Sequence, residues 1–380
     1  MWLFYFLIFM TLSFAVAIPK NNYKSSKRYL FLVFAAIGCL IMFRSVNVGN
    51  DTDEYIDLFN SIAKTKNLTL YIERSRFEPG YIYLNWYLSK ISTNPQILFM
   101  VTGFFTAISF KRFIYHYSEI PWMSFFMFMT LQFFDLTLTG VRQILAIAFL
   151  LYAYDFLVKR KLIRFIGLVF LAYTIHTSAI MFLLLYPLTN RLRSKKFYII
   201  SASVSIGVYI MFSYVLTILH RVFPRYVVYF TEDGDSYSSS ATLAVVLMLI
   251  LWILMFLIAN ISKFNHVSKV IRIDNNSNPK DKRMWVKHPH MVENVLQISI
   301  WLSVLMLFMA LKGTILNRFK YVFSAAMLVY YPNSLKKISN DSNKNLMILG
   351  SCIVFFIYIL VIYILRPEWQ STYPYSFYWE

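Results

Sequence analysis

Apolar blocks of membrane-spanning length follow one another along almost the whole chain, and this leaves few folds open to it. A perpendicular helix needs about 20 apolar residues to cross a bilayer. The blocks fall at 2–18, 29–43, 96–114, 121–138, 141–158, 163–174, 176–189, 197–219, 241–260, 294–312, 318–332 and 346–365. Hydrophobic residues make up 58% of the sequence and charged ones 14%. The expected fold class is therefore an all-α polytopic membrane protein, a single integral membrane domain over 1–380. Its main extramembrane segments are 44–95 and 261–293. The N-terminal block has no basic residue ahead of it and no small-residue cleavage site, so it reads as a retained helix.

The blocks 163–174 and 176–189 are each short, and charge decides how to treat them. Taken as a tight outward hairpin, with the first connection (Lys20, Lys24, Lys27, Arg28) inside, they leave 24 of the 37 Lys and Arg on the inner side and 13 on the outer. Only 6 of the 18 Asp and Glu then lie inside. This satisfies the positive-inside rule and predicts about twelve crossings (11–13) with both ends outside. The net charge of +19 is thereby accounted for, and a nucleic-acid partner is not needed. Cys39 and Cys352 fall inside apolar blocks, which suggests neither a disulfide nor a thiolate metal site. The connection 261–293, with Asp274-Asn-Asn-Ser-Asn-Pro279, reads as a solvated inner loop.

Ionisable groups at membrane depth are costly and mark functional sites. In this topology Arg44, Arg142, His176 and Arg318 arrive at the outer level from four segments. Arg142 is the sharpest, because Thr137-Leu-Thr-Gly140 leaves almost no loop ahead of it. The competing reading is a residue snorkelling to headgroups. A guanidinium donates two hydrogen bonds in a planar fork and stays charged, so the three arginines suit a diphosphate. His176 can act as base or donor, or serve as a hydrogen-bonded structural residue.

The segment 44–95 is the one long outer polar stretch. Asp51, after a Gly turn, is either a functional carboxylate or the cap of a helix with Glu54 three residues on. No cofactor is indicated: Asp51-Thr52-Asp53 matches the D-x-D pattern of some metal-dependent sugar transferases, but so short a match does not carry a metal site. In Arg76-Phe-Glu78-Pro-Gly80-Tyr81-Ile-Tyr-Leu-Asn85-Trp86, Pro79 suits a first helical turn, and Glu78, Tyr81 and Asn85 fall on one face. With Tyr83, Trp86 and Tyr87 they would form a sugar-binding surface. The alternative is an interfacial helix with an aromatic belt, which leaves Glu78 unexplained.

The ordered set Phe43-Arg44…Gly49-Asn-Asp51-Thr52…Tyr55, Glu78-x-Gly80-Tyr81…Asn85, Gly140-Val-Arg142-Gln143…Ala146, Ile175-His176-x-Ser178-Ala179 and Arg318-x-x-Tyr321 resembles the EpsG family of Wzy-type polysaccharide polymerases, over about residues 1 to 330. The resemblance implies a GT-C-like glycosyltransferase in a bacterial cytoplasmic (inner) membrane, its site facing outward. It would transfer a growing glycan from polyprenyl diphosphate to a lipid-linked repeat unit, making exopolysaccharide, capsule or O-antigen. Arg142, Arg318 and Arg44 would bind the diphosphate, and Glu78, His176 or Asp51 would supply the base. Tyr55, Tyr81, Asn85, Gln143, Ser178 and Tyr321 would line the substrate. Expected partners are polyprenyl-diphosphate-linked oligosaccharides, membrane lipid and a chain-length regulator. The rival readings are an O-antigen ligase, a transferase using a polyprenyl-phosphate sugar and, from another class, a lipid-linked oligosaccharide flippase. An acyltransferase fits less well, since it would need inner-face catalytic residues.

Overall fold

The computed structural model describes residues 2–17, 23–190, 194–214, 217, 239–264, 283–312, 316–365 and 371–380. Among these the chain is helical, with one isolated antiparallel bridge between Arg44 and Phe377. The Asp274–Pro279 stretch lies outside the described residues.

The helices are α1 (Trp2–Ala17), α2 (Tyr23–Met42), α3 (Thr52–Lys64), α4 (Leu68–Arg74), α5 (Pro79–Ile91), α6 (Gln96–Tyr117), α7 (Pro121–Thr130), α8 (Phe133–Thr139), α9 (Val141–Val158), α10 (Leu162–Ile175) and, after a 3-10 helix at Thr177–Leu184, α11 (Leu185–Leu188). There follow α12 (Lys195–Ile210), α13 (Ser239–Phe264), α14 (Met284–Lys287), α15 (Pro289–Met309), α16 (Asn317–Ser324), α17 (Met327–Lys336) and α18 (Asp341–Leu365).

Among the described residues, six spans are long and apolar enough to cross a membrane: Ser25–Met42, Gln96–Tyr117, Val141–Val158, Thr242–Asn260, Pro289–Lys312 and Asp341–Leu365. Within the described residues, the other six apolar blocks map onto shorter or interrupted helices. Block 121–138 breaks where Gln132 takes a left-handed φ of 65°, which separates α7 from α8. Block 318–332 is divided between α16 and α17. Large apolar side chains such as Phe31, Phe104, Phe170, Ile199, Leu254 and Ile357 are exposed around the bundle. An outer surface of this kind suits lipid, where every backbone polar group is already satisfied within a helix. The chain is a polytopic membrane protein.

Helix α9 organises the interior, packing on α6, α10 and α15. Its far end carries Asp155, which pairs with Arg112 and accepts a 2.8 Å bond from the Tyr117 hydroxyl. Nearby, Asn333 accepts from the Glu119 N–H at 2.7 Å and donates to Tyr117 O at 2.8 Å, and Lys337 bonds Glu293 at 2.9 Å. Arg142 opens the same helix thirteen residues earlier (155 − 142), so the two polar ends stand about 20 Å apart at 1.5 Å per residue.

The segment 44–95 contributes three short helices. Tyr55, Leu58, Phe59 and Ile62 form the buried stripe of α3, at the spacing of one helical face. Gly49 takes φ 93° ahead of it, and a β-carbon there would collide with the carbonyl of Leu138. Helix α5 starts at Pro79 with Glu78 in the N-cap position and packs on both α3 and α10.

Candidate functional site

Gly80 sets the position of Glu78. A β-carbon at Gly80 would meet the Thr174 hydroxyl and lie 2.7 Å from the Thr174 carbonyl oxygen, so only glycine lets the start of α5 lie against the end of α10. The chain then leaves helical geometry at His176 (φ −151°, ψ 120°) before the 3-10 helix. This kink presents the Thr177 N–H and hydroxyl to Glu78 Oε1, each at 3.0 Å. The other carboxylate oxygen, Oε2, accepts from Arg142 Nη1 at 2.6 Å. Glu78 thus joins α5, α9 and the α10 hairpin at one point.

The Arg142 guanidinium also stands 4.5 Å over the Phe77 ring, and its Nε is buried with no hydrogen-bond partner. Both members of the pair are largely covered, with side chains 16% and 12% exposed. Burial alone would raise the Glu78 carboxyl. Arg142 and the Thr177 N–H more than offset this and hold it below the usual carboxylate range.

Around the pair, Gln143 Nε2 donates to the Arg318 carbonyl oxygen at 2.6 Å, joining α9 to α16. Arg318 is exposed. The His176 Nδ1 takes the Ser178 N–H at 3.3 Å and lies 2.8 Å from the Ser178 hydroxyl. Accepting there places the proton of a neutral imidazole on Nε2. His176 and Tyr55 both lie within electrostatic reach of Arg142 and Arg318. Tyr55 packs edge-on against Tyr81 at 5.9 Å, and burial pushes both phenols up. They keep their protons at neutral pH.

Other expected site residues are placed differently. Tyr81 and Asn85 are fully buried between helices, and the Asn85 amide donates to Tyr81 O within its own helix at 2.8 Å. The sugar-facing surface expected of them is turned into the core, because α5 packs on two sides. Asp51 occupies the N-cap of α3 without making a side-chain cap bond; Thr52 instead donates back to Val48 O at 2.6 Å. Tyr321 is buried edge-on against Phe133. No group of three or more His, Cys, Asp or Glu that could hold a metal gathers among the described residues.

Arg44 departs furthest from the expected clamp, being 1% exposed. Residues 371–380 run across it: Gly49 N–H donates to Ser371 O at 2.8 Å, Ser45 N–H to Ser376 O at 3.0 Å and Tyr378 N–H to Phe43 O at 3.0 Å. Beneath this cover its Nη1 donates to Thr137 O at 3.2 Å, and its guanidinium faces the Phe99 ring at 4.3 Å. Burial pushes Arg44 down to about 10, so it stays charged at neutral pH.

Three further residues in or beside the site stand outside the fixed positions of the motifs. Thr177 sits at the variable position of the Ile175-His176-x-Ser178 motif, and its hydroxyl was the available signal. Asp135 is fully buried in α8 and accepts from the Tyr363 hydroxyl at 2.9 Å and the Thr372 hydroxyl at 3.3 Å. Lys320, two residues from Arg318, is buried with Nζ 3.8 Å from the Tyr321 ring centre and makes no ion pair among the described residues.

A family model for the EpsG family matches residues 27–377. The chain belongs to the EpsG family. EpsG proteins are Wzy-type polymerase-like, which places this EpsG protein in polysaccharide biosynthesis at a membrane. The match also covers most of the 371–380 segment, beyond the stretch that carries the sequence motifs. No curated protein and no solved structure matches the chain.

Proposed function

We propose that this EpsG protein is a polysaccharide polymerase of the outer face of the cytoplasmic membrane, with about twelve crossings and a GT-C-like architecture. It would transfer a growing glycan from polyprenyl diphosphate to a hydroxyl of a lipid-linked repeat unit. The observation that carries the reading is the Arg142–Glu78 pair at the junction of α5, α9 and the α10 hairpin, with Arg318 and His176 beside it.

In this reaction the bond between the anomeric carbon and the diphosphate oxygen breaks and a bond to the acceptor oxygen forms. The acceptor proton goes to a base, and negative charge builds on the leaving diphosphate. Fixed cationic donors at that charge are worth about 3 kcal/mol each. Arg142 and Arg318 would take this role, and the cover over Arg44 leaves it to support Thr137 from beneath.

The geometry also favours Glu78 over His176 as the base. Nδ1 of His176 is already an acceptor for Ser178, so a neutral ring offers Nε2–H, a donor suited to the diphosphate. Glu78 is a weak base while Arg142 holds it. A diphosphate arriving at Arg142 competes for the same guanidinium, loosens the ion pair and raises the basicity of Glu78 when donor is bound. Asp51, which makes no ion pair among the described residues, takes no part in that exchange.

The test is reconstitution in vesicles with a purified lipid-linked repeat unit. Polymerase activity gives a ladder of lengthening lipid-linked products. Transfer to a different lipid acceptor without lengthening would mark a ligase, and movement across the bilayer without new bonds a flippase. Either result would overturn the reading.

A further inference from the structure

Beside the Glu78–Arg142 centre, α4 and its flanking turns enclose a groove of about 390 Å³, lined in part by Asn67, Tyr71, Arg74, Ser75, Arg76 and Phe77. Two of its side-chain acceptors are engaged within the protein. Asn67 Oδ1 accepts the Leu70 N–H at 3.0 Å as the cap of α4, and Ser75 Oγ accepts the Phe77 N–H at 3.1 Å. The donors are arranged otherwise. Arg76 is neutralised by Glu54 and lies over Phe77, whereas Arg74 is exposed and makes no ion pair among the described residues. A groove in which Asn67 and Ser75 turn their acceptors to the backbone and a guanidinium is left over is complementary to an acceptor-rich anion. Tyr71 and Phe77 add ring faces to the wall.

Phe77 also connects this groove to the candidate site, since the Arg142 guanidinium stands over the same ring. A ligand in the groove therefore lies one side chain away from the pair assigned to chemistry. We propose that the groove binds a carboxylate-bearing sugar of the glycan handled at that site. The identity of the glycan rests on the polymerase reading; binding of an acidic sugar is measurable without it.

The full-length protein in phosphatidylcholine nanodiscs is titrated with a tetrasaccharide of alternating glucuronate and N-acetylglucosamine, and with the neutral N-acetylglucosamine tetramer. The acidic tetrasaccharide should bind roughly tenfold more tightly, as expected when one charge-assisted contact is added, and should weaken as salt screens it. Arg74→Ala should remove that preference and Tyr71→Ala should weaken both ligands, while Lys66→Ala, outside the lining, changes neither. Arg142→Ala should abolish polymer yet retain acidic-tetrasaccharide binding, so failure of the polymerase reading and failure of the groove assignment give different results. Equal binding of the two tetrasaccharides, or an unchanged preference in Arg74→Ala, would overturn the proposal. So would loss of acidic-sugar binding when phosphatidylglycerol enters the nanodisc, since the groove would then be a lipid-headgroup site.

Discussion

Glu78 Oε2 and Arg142 Nη1 lie 2.6 Å apart, so the residue that opens a short helix of the 44–95 segment is fastened to the first turn of a membrane helix. One contact holds the candidate base and fixes where the 44–95 segment docks. Breaking a buried pair from one side leaves an uncompensated charge, at a cost of roughly 3–5 kcal/mol. Structural and chemical roles must therefore be separated by measurement.

Arg142→Lys should abolish polymer while leaving the protein in the membrane, because a point-charge ammonium does not reproduce the planar fork over Phe77 and Glu78. Single repeat units should build up on the lipid carrier. Extracted glycolipids from cells carrying Arg142→Lys or Arg142→Ala check this, and normal polymer from Arg142→Ala would remove the diphosphate assignment.

Glu78→Gln should cut turnover by about 100-fold while lipid-linked donor still binds. Asp51→Asn should be mild. The pH profile gives the sign. A carboxylate held below its ordinary value of 4.5 is ionised at all higher pH, so Glu78 puts no acid limb into kcat/KM above about 4.5. If bound diphosphate draws Arg142 away, the acid limb of kcat moves upward relative to that of kcat/KM. Identical limbs in the two profiles would reject the exchange. The same depression stabilises the folded protein above pH 4.5, and that contribution fades as pH falls through the native value.

Gly80→Ala should leave insertion intact and lower activity at least as much as Glu78→Gln, since the added methyl pushes α5 away from the Thr174 carbonyl. Thr174→Ala relieves only the side-chain half of that clash, so the double variant should recover little. Full activity in Gly80→Ala would show that Glu78 does not need its present position.

Topology can be tested in a Cys39→Ser, Cys352→Ser background. A cysteine at Lys66 should react with an impermeant thiol reagent in intact cells, and one at Lys161 should not. The reverse pattern would invert the orientation and put the candidate site on the inner face.

The sequence and the structure agree where a signal is local. Hydropathy alone marks α2, α6, α9, α13, α15 and α18. Pro79 announces α5, and the motifs around Glu78, Arg142, His176 and Arg318 name residues that do converge. The misses are long-range. Nothing near Gln132 signals a left-handed break in an otherwise apolar block. Asp135 finds Tyr363 at 228 positions' distance, so its role as an anchor is invisible in its own neighbourhood. Tyr81 and Asn85 have a legible helical face, but which neighbour covers that face depends on docking.

Ser45 and Ser376, whose hydroxyls meet at 2.7 Å, are 331 positions apart in the sequence, and the Arg44–Phe377 bridge lies beside them. During synthesis Arg44 therefore leaves the ribosome long before the residues that enclose it exist. Contacts of such high sequence separation form late. Until then a guanidinium that ends beneath protein must wait at the membrane–water boundary, where headgroups and water can solvate it. Closure of this seam has to wait for residues 371–380, so a chain halted before residue 371 should leave Arg44 without the cover those residues give it.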